Sequence, residues 1–284
     1  MSTSYKGPIV LIIMDGVGIK AIETGNAVTG AKKPILDNCM KNYPMQKLKA
    51  HGTAVGLPSD GDMGNSEVGH NAIGAGQVYS QGAKLVSESL ASKSMYQSEV
   101  WQSLVADAKK GGTLHFIGLL SDGNVHSHID HLLAMLDEAK EEGVAKVRIH
   151  ILLDGRDVGE TSALQYVDQL EAKLAELSDD SHDYRIASGG GRMVITMDRY
   201  GANWGMVEAG WKTHVLGEGR QFATAKEAIE TFRSEIPNVI DQDLPAFVIA
   251  ENGAPVGTIE DGDSVILYNF RGDRAQELTV AFES

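Results

Sequence analysis

Short apolar runs rich in β-branched residues recur along the chain at Ile9–Met14, Leu114–Leu120, Val147–Leu153, Phe247–Ala250 and Val265–Phe270, each the length of a buried strand. Between and around them, Ser98–Lys109, Ile129–Glu142, Ser162–Ala175 and Ala225–Arg233 place apolar residues at i, i+3 and i+4 among charged ones, the period of an amphipathic helix. Strand alternating with helix predicts an α/β fold built on a mainly parallel sheet. In such folds ligands sit beyond the carboxyl ends of the strands. The polar clusters fall there: Asp15 after the first run, Ser121-Asp122-Gly123 after the second, Asp154-Gly155-Arg156-Asp157 after the third and Arg271-Gly272-Asp273-Arg274 after the last. No internal repeat, low-complexity tract or linker marks a domain boundary.

Composition narrows the function classes. A chain of 284 residues can bury one large core or two small ones, and 42% hydrophobic with 23% charged residues fits a folded protein rather than a disordered one. A formal charge of −14 argues against a sequence-independent nucleic-acid surface, which needs excess Lys and Arg. It also repels small anions at long range, so an anionic substrate must be drawn by a few locally concentrated arginines. Cys39 is single, which excludes an internal disulfide and fits a reducing compartment. The run Pro8–Met14 is too short for a membrane span, meets Asp15, and precedes no cleavage-site pattern, so a cytoplasmic location is expected.

Two segments carry candidate chemistry. In Met14-Asp15-Gly16-Val17-Gly18 a carboxylate at a strand end could hold a divalent cation; read alone, a turn-forming Asp before Gly is the plainer account. In Gly61–His70 one serine, Ser66, stands among glycines just ahead of an expected helix over Val68–Ile73. A serine there can be an N-cap, or a nucleophile facing an incoming phosphate with helix-end amides favouring the developing charge. Both readings stay open on these residues alone. A nucleophilic serine also needs activation, which a metal bound to its oxygen supplies. Neither Gly74-Ala75-Gly76 nor Gly189-Gly190-Gly191 has the G-x-G-x-x-G order of a dinucleotide site.

A family resemblance joins these pieces. Asp15-Gly16-Val17-Gly18, His51-Gly52-Thr53-Ala54-Val55-Gly56-Leu57-Pro58, Met63-Gly64-Asn65-Ser66-Glu67-Val68-Gly69-His70 and Gly118-Leu119-Leu120-Ser121-Asp122-Gly123 follow the order of motifs in the cofactor-independent phosphoglycerate mutases. So do Asp154-Gly155-Arg156-Asp157, Ser188-Gly189-Gly190-Gly191-Arg192 and Asn269-Phe270-Arg271-Gly272-Asp273-Arg274. The chain closely resembles the amino-terminal half or so of that family, and the Arg192-to-Arg199 spacing resembles its plant and trypanosomatid branch.

The resemblance implies interconversion of 3-phosphoglycerate and 2-phosphoglycerate in glycolysis and gluconeogenesis, through a phosphoserine and without bisphosphoglycerate. It implies two divalent metal ions, usually manganese, with magnesium, cobalt or zinc as alternatives. Ser66 matches the family's nucleophile, and Asp15 and Ser66 its ligands to one metal; His126, Arg156, Asp157, Arg192, Arg199, Arg271 and Arg274 match its substrate contacts. Residues 1–83 would be the first segment of a phosphatase domain resembling alkaline phosphatase, and 84–284 a substrate-gripping transferase domain, incomplete at its carboxyl end. The expectation is a monomer acting on a small molecule, with no nucleic-acid or membrane partner. Because most of the family's metal ligands have no counterpart here, the chain is expected to be a fragment, inactive alone. Two alternatives stand beside this reading. One is a non-catalytic module that binds phosphoglycerate or a partner chain. The other is a zinc hydrolase, because His126-Ser127-His128-Ile129-Asp130-His131 fits the H-x-H-x-D-H string of metallo-β-lactamase-like enzymes, making His126, His128, Asp130 and His131 candidate ligands.

Overall fold

The computed structural model describes residues 7–284, which fall into two compact units, Met1–Leu48 and Lys49–Ser284. In the first unit the expected strand at Ile9–Met14 does not form: the run is irregular backbone, and Ile9 and Ile12 are 88% and 75% exposed. The apolar pattern is genuine, but a strand exists only when a neighbour takes up its amides and carbonyls, and the described residues of this unit pair no strand with it. The unit's helices are α1 (Ala27–Gly30), capped by Asn26, whose side chain accepts from Thr29 N, and α2 (Pro34–Asn42), which starts on its proline.

The second unit opens with helices α3 (Ser66–Ala75), α4 (Gly82–Ala91) and α5 (Glu99–Ala108). Strand and helix then alternate through β1 (Leu114–Leu120), α6 (Ile129–Glu141), β2 (Lys146–Leu153), α7 (Ala163–Leu177), β3 (Asp183–Gly191) and α8 (Trp204–His214). β4 (Arg220–Phe222), α9 (Ala225–Glu235), β5 (Phe247–Glu251), β6 (Ala254–Pro255), β7 (Ser264–Leu267) and α10 (Gln276–Glu283) complete it. The sheet order is β4-β5-β3-β2-β1-β7, with β6 on β5. β7, β1, β2 and β3 are parallel, and β4 and β5 run the other way against β3. This is the mixed α/β fold with a parallel-dominated sheet that the alternation predicts. Among the described residues no helix is long and apolar enough to cross a membrane.

The two faces of the sheet differ. Leu114, Phe116, Val147, Ile149, Ile151 and Ile186 pack on one face against Trp101, Leu132, Leu136, Val167, Leu170, Ile229 and Phe232, so α5, α6, α7 and α9 bury that face in carbon. The opposite face has only a small apolar cluster, Leu119, Leu152, Ile195 and Met197, beside buried His115, Arg148, His150 and Ser188. The sequence pattern misses β3 and α8. β3 ends in Gly189-Gly190-Gly191, which carries no strand propensity; a Cβ on Gly189 would lie 2.8 Å from Ile151 Cγ1 and 2.9 Å from its carbonyl oxygen, so close packing excludes a side chain there.

Candidate active site

The carboxyl ends of β1, β2, β3 and β7 converge on a cluster organised by Asp154, which is almost fully buried. Its Oδ1 accepts from Arg156 N (3.2 Å), Asp157 N (3.0 Å) and Arg192 Nη1 (2.8 Å), and its Oδ2 from Ser121 Oγ (2.6 Å). The two backbone bonds make an Asx-type turn directly after β2. Gly155 takes φ +62° in that turn, where a Cβ would meet Asp241 Cβ and Gln242 N at 2.9 Å. Arg192 is 1% exposed and donates from the same Nη1 to Asp157 Oδ2 at 2.6 Å, while its Nε is buried without a partner. A carboxylate, an arginine and a second carboxylate are thereby locked in sequence across two strand ends, each satisfying part of the other's charge.

Around this hub lies a ring of positive charge. His126 Nδ1 is 3.5 Å from Asp273 Oδ1 and makes no hydrogen bond. Burial first, and then the charges of Arg192, Arg271, Arg274 and Arg199, push the imidazole down to about 2, so it is neutral at physiological pH. Arg271 Nε lies 3.0 Å from Glu67 Oε2 and 3.1 Å from Asp273 Oδ1, and Arg199 Nη1 3.7 Å from Asp273 Oδ2. Asp273 Oδ1 is near enough to Arg271 for a hydrogen bond and Oδ2 is too far from Arg199 for one, and neither carboxylate oxygen makes a bond. Arg274 is buried and donates to Met197 O at 2.6 Å; burial first, then Arg199 and Arg192, lower its proton affinity. Arg156 is exposed at the rim. Guanidiniums facing a carboxylate that makes no hydrogen bond to them keep donors that an oxyanion could take.

Ser66 is brought beside this ring. The α3 N-cap is Asn65, whose Oδ1 accepts from Val68 N at 3.2 Å, so the capping role open to Ser66 in the sequence belongs to its neighbour. Ser66 is the first helical residue, exposed, with Glu67 reaching Arg271 from the next position. Asn124 Nδ2 donates to Asp62 Oδ1 at 2.6 Å, tying the loop before α3 to the end of β1. His70 Nδ1 is 3.2 Å from Ser66 Oγ but 2.8 Å from Ser66 O. A ring nitrogen that donates to the carbonyl cannot also accept the hydroxyl proton, so His70 is not the base for Ser66.

Asp15 lies exposed in a turn of the Met1–Leu48 unit. Asp15 and Ser66 are hard oxygen donors of the kind a divalent cation prefers, but no group of three or more His, Cys, Asp or Glu able to hold a metal ion occurs among the described residues. The zinc string does not converge either. His128 caps α6, accepting from Asp130 N at 3.2 Å; His131 meets Ser87 Oγ at 2.8 Å and packs on Phe270; and His126 belongs to the arginine ring. The His128 and His131 rings lie 5.6 Å apart, but with His126 in the arginine ring the string gathers no group of three metal-binding side chains among the described residues. The residues missed from sequence are the carboxylates that hold the arginines: Asp154, Asp273 and Glu67. No local signal marks them, because a buried arginine requires a partner but its burial is set by the fold and not by the neighbouring residues.

Comparison with known proteins identifies the family. The family described as BPG-independent PGAM N-terminus matches residues 86–284. A probable 2,3-bisphosphoglycerate-independent phosphoglycerate mutase of Leptospira interrogans is 59% identical over 277 residues, 96% of this chain and 50% of that protein. The 2,3-bisphosphoglycerate-independent phosphoglycerate mutases of Trypanosoma brucei brucei and Ricinus communis are 52% and 48% identical, each over 97% of this chain and 50% of their own. A crystal structure of Leishmania mexicana phosphoglycerate mutase at low cobalt concentration superposes with a TM-score of 0.91 at 49% identity, covering 96% of this chain and 50% of that one. The chain thus spans about half the length of these relatives. On this match, the chain belongs to the family of the BPG-independent phosphoglycerate mutases (PGAM), as part of its N-terminal region.

Proposed function

We propose that these residues carry the nucleophile and the substrate grip of an enzyme that interconverts 3-phosphoglycerate and 2-phosphoglycerate through a phosphoserine on Ser66, without bisphosphoglycerate. The observation that carries the reading is the Arg271–Glu67 pair at 3.0 Å, which joins the helix bearing Ser66 to the arginine ring. Ser66 Oγ attacks phosphorus in line, forming the Oγ–P bond as the substrate's P–O bond breaks. Arg271 and Arg274 hold the phosphoryl oxygens, and the first-turn amides of α3 favour their charge. Arg156, Arg192 and Arg199 hold the glycerate carboxylate, while neutral His126 and Asp157 orient its hydroxyls, so the glycerate can present its other oxygen before the phosphoryl group returns. Asp15 and Ser66 would supply ligands to one of two divalent cations, manganese or the cobalt named for the Leishmania structure, and such a cation would lower the proton affinity of the Ser66 hydroxyl.

In this reading residues 1–83 belong to a phosphatase-like domain related to alkaline phosphatase, and 84–284 to the transferase domain of a cytoplasmic monomer. Calorimetric titration of the chain with 3-phosphoglycerate tests it. Binding is expected to weaken roughly tenfold or more in Arg156→Ala and in Arg199→Ala, each of which removes charged hydrogen bonds worth about 1.5–3 kcal/mol. Unchanged affinity in both variants would overturn the substrate assignment. No 2-phosphoglycerate is expected from this chain alone, because Asp15 and Ser66 cannot hold two metals; turnover would show that they suffice.

A further inference from the structure

A second polar system, buried and separate from the arginine ring, crosses the carbon-poor face of the sheet. Asp263 Oδ2 is 3.2 Å from His115 Nε2, and His115 Nδ1 is 2.9 Å from His150 Nε2. His150 Nδ1 is 2.7 Å from Ser188 Oγ, Ser188 Oγ is 2.8 Å from His214 Nδ1, and His214 Nε2 is 2.9 Å from Thr196 Oγ1. The chain is built by register: an irregularity at Ile149/His150 skips Ala187 and sets Ser188 opposite His150 on one face of β2 and β3. No side-chain atom of these residues is among the buried groups without a partner, so the network is fully satisfied.

Its direction is fixed from one end. A carboxylate only accepts, so Asp263 takes the Nε2–H of His115. Burial pushes His115 down to about 4 and His214 to about 3, and holds His150 well below its ordinary range, so each ring is neutral and has one N–H. His115 Nδ1 must then accept from His150 Nε2, His150 Nδ1 from the Ser188 hydroxyl, Ser188 Oγ from His214 Nδ1, and His214 Nε2 from the Thr196 hydroxyl. Every bond points toward Asp263, and His214 is confined to the Nδ1–H tautomer.

The far end holds a strained residue. Thr196 has φ +69°, a conformation that is strained for a β-branched residue and survives only when its surroundings over-determine it. Thr196 N donates to Met206 O at 2.9 Å, and α8 presses against the Thr196 side chain through Gly210, where a Cβ would collide with it. The next carbonyl, Met197 O, receives Arg274, and the segment continues to Arg199.

We propose that Asp263, His115, His150, Ser188 and His214 are positioning residues: their directed chain holds Thr196, and through it the Arg192–Arg199 segment and the Met197 carbonyl that seats Arg274, in the geometry that grips the substrate. The substrate part of this statement rests on the phosphoglycerate reading above; the positioning part does not. Long-range 1H–15N NMR of the histidine-labelled chain is expected to show Nε2–H at His115 and His150 and Nδ1–H at His214. In Asp263→Asn the amide oxygen keeps the short bond from Thr113 N while the amide nitrogen takes the Oδ2 place, giving up the bond from Glu260 N to donate to His115 Nε2; this reverses every bond, so His214 is expected to change to Nε2–H across the full length of the chain. The Arg192 and Arg274 guanidinium signals should shift with it, and 3-phosphoglycerate affinity should fall roughly tenfold, as for a small misplacement of binding groups. Thr196→Val removes the last donor and should shift the same guanidinium signals, whereas Thr196→Ser, which keeps the hydroxyl, should not. Nε2–H at His214 in the unsubstituted chain, or arginine signals indifferent to both Asp263→Asn and Thr196→Val, would overturn the proposal. Shifts as expected in a chain that does not bind 3-phosphoglycerate would support the positioning and overturn the substrate reading instead.

Discussion

The two faces of the central sheet are held by different physics. On one, α5, α6, α7 and α9 cover Leu114, Phe116, Val147, Ile149 and Ile151 with carbon, which is non-directional and needs only shape and volume. On the other, the strands meet α8 and the loops after β3 and β6 through Arg148, His115, His150 and Ser188. Arg148 alone donates to Val256 O (2.7 Å), Val147 O (2.9 Å), Asp183 O (2.7 Å) and Asp183 Oδ2 (2.6 Å). Such bonds add little net stability but fix angles, and a broken one leaves a buried group unpaired. This fold therefore keeps its precision on one side of the sheet: the arginines proposed to grip an anion stand where polar contacts set the geometry, while the carbon face supplies the stability those contacts cost.

Acid should separate the faces most. Folded His115 lies near 4, His214 near 3 and His126 near 2, with His150 also well below its ordinary value, in each case chiefly through burial. The unfolded imidazoles protonate near 6.5. Between that value and the folded ones the unfolded chain therefore binds more protons, and stability falls as pH falls, by up to about 1.4 kcal/mol per pH unit for each histidine. Urea midpoints are expected to drop steeply from pH 6.5 to 4.5, before most carboxylates titrate. A flat profile over that range would mean that these rings are not buried neutral.

Breaking the buried ion pair comes next. Asp154→Leu leaves Arg192 with Asp157 alone and should destabilise the chain by about 3–5 kcal/mol in chemical denaturation. Adding Arg192→Met should restore most of that loss, because two carbon side chains replace two buried charges, while 3-phosphoglycerate binding stays lost. On the carbon face, Leu136→Ala should cost about 2–5 kcal/mol through the cavity it opens, yet leave ligand affinity unchanged. Weakened affinity in Leu136→Ala would erase the distinction between the faces.

The same division explains what could be read from the chain. The strands at Leu114–Leu120 and Phe247–Glu251 and the helices at Ile129–Glu141 and Ala225–Glu235 follow from apolar runs and 3.6-residue periods, because burial in carbon writes itself into local pattern. β3 ends in glycines and α8 contains Gly205 and Gly210, so close approach of the backbone replaced the pattern there. The arginines were named by the resemblance of their motifs, since the acidic composition implied only that an anionic substrate would need some local concentration of positive charge. Their partners Asp154, Asp273 and Glu67 and the histidine chain were not legible, because a hydrogen bond between residues 148 positions apart, as from His115 to Asp263, leaves no local trace. At Ile9–Met14 the pattern writes a strand that has no partner among the described residues of its unit, since pairing is a property of the neighbour.

The smallest effect on stability should come from the residue with the largest proposed role. Ser66 is exposed, and the cap of α3 is Asn65, so Ser66→Ala removes no capping bond and places a better helix former at the first helical position. Its unfolding free energy should lie within about 0.5 kcal/mol of the unsubstituted chain, whereas Asn65→Ala should lose about 1 kcal/mol with the bond to Val68 N. In a catalytically competent protein containing this region, Ser66→Ala should abolish the mass increase of a phosphoryl group after incubation with 3-phosphoglycerate, and Asn65→Ala should only reduce it. A Ser66→Ala protein that is still phosphorylated would remove the nucleophile from this position. A large stability loss in Ser66→Ala would return the serine to the structural role that its place at a helix start first suggested.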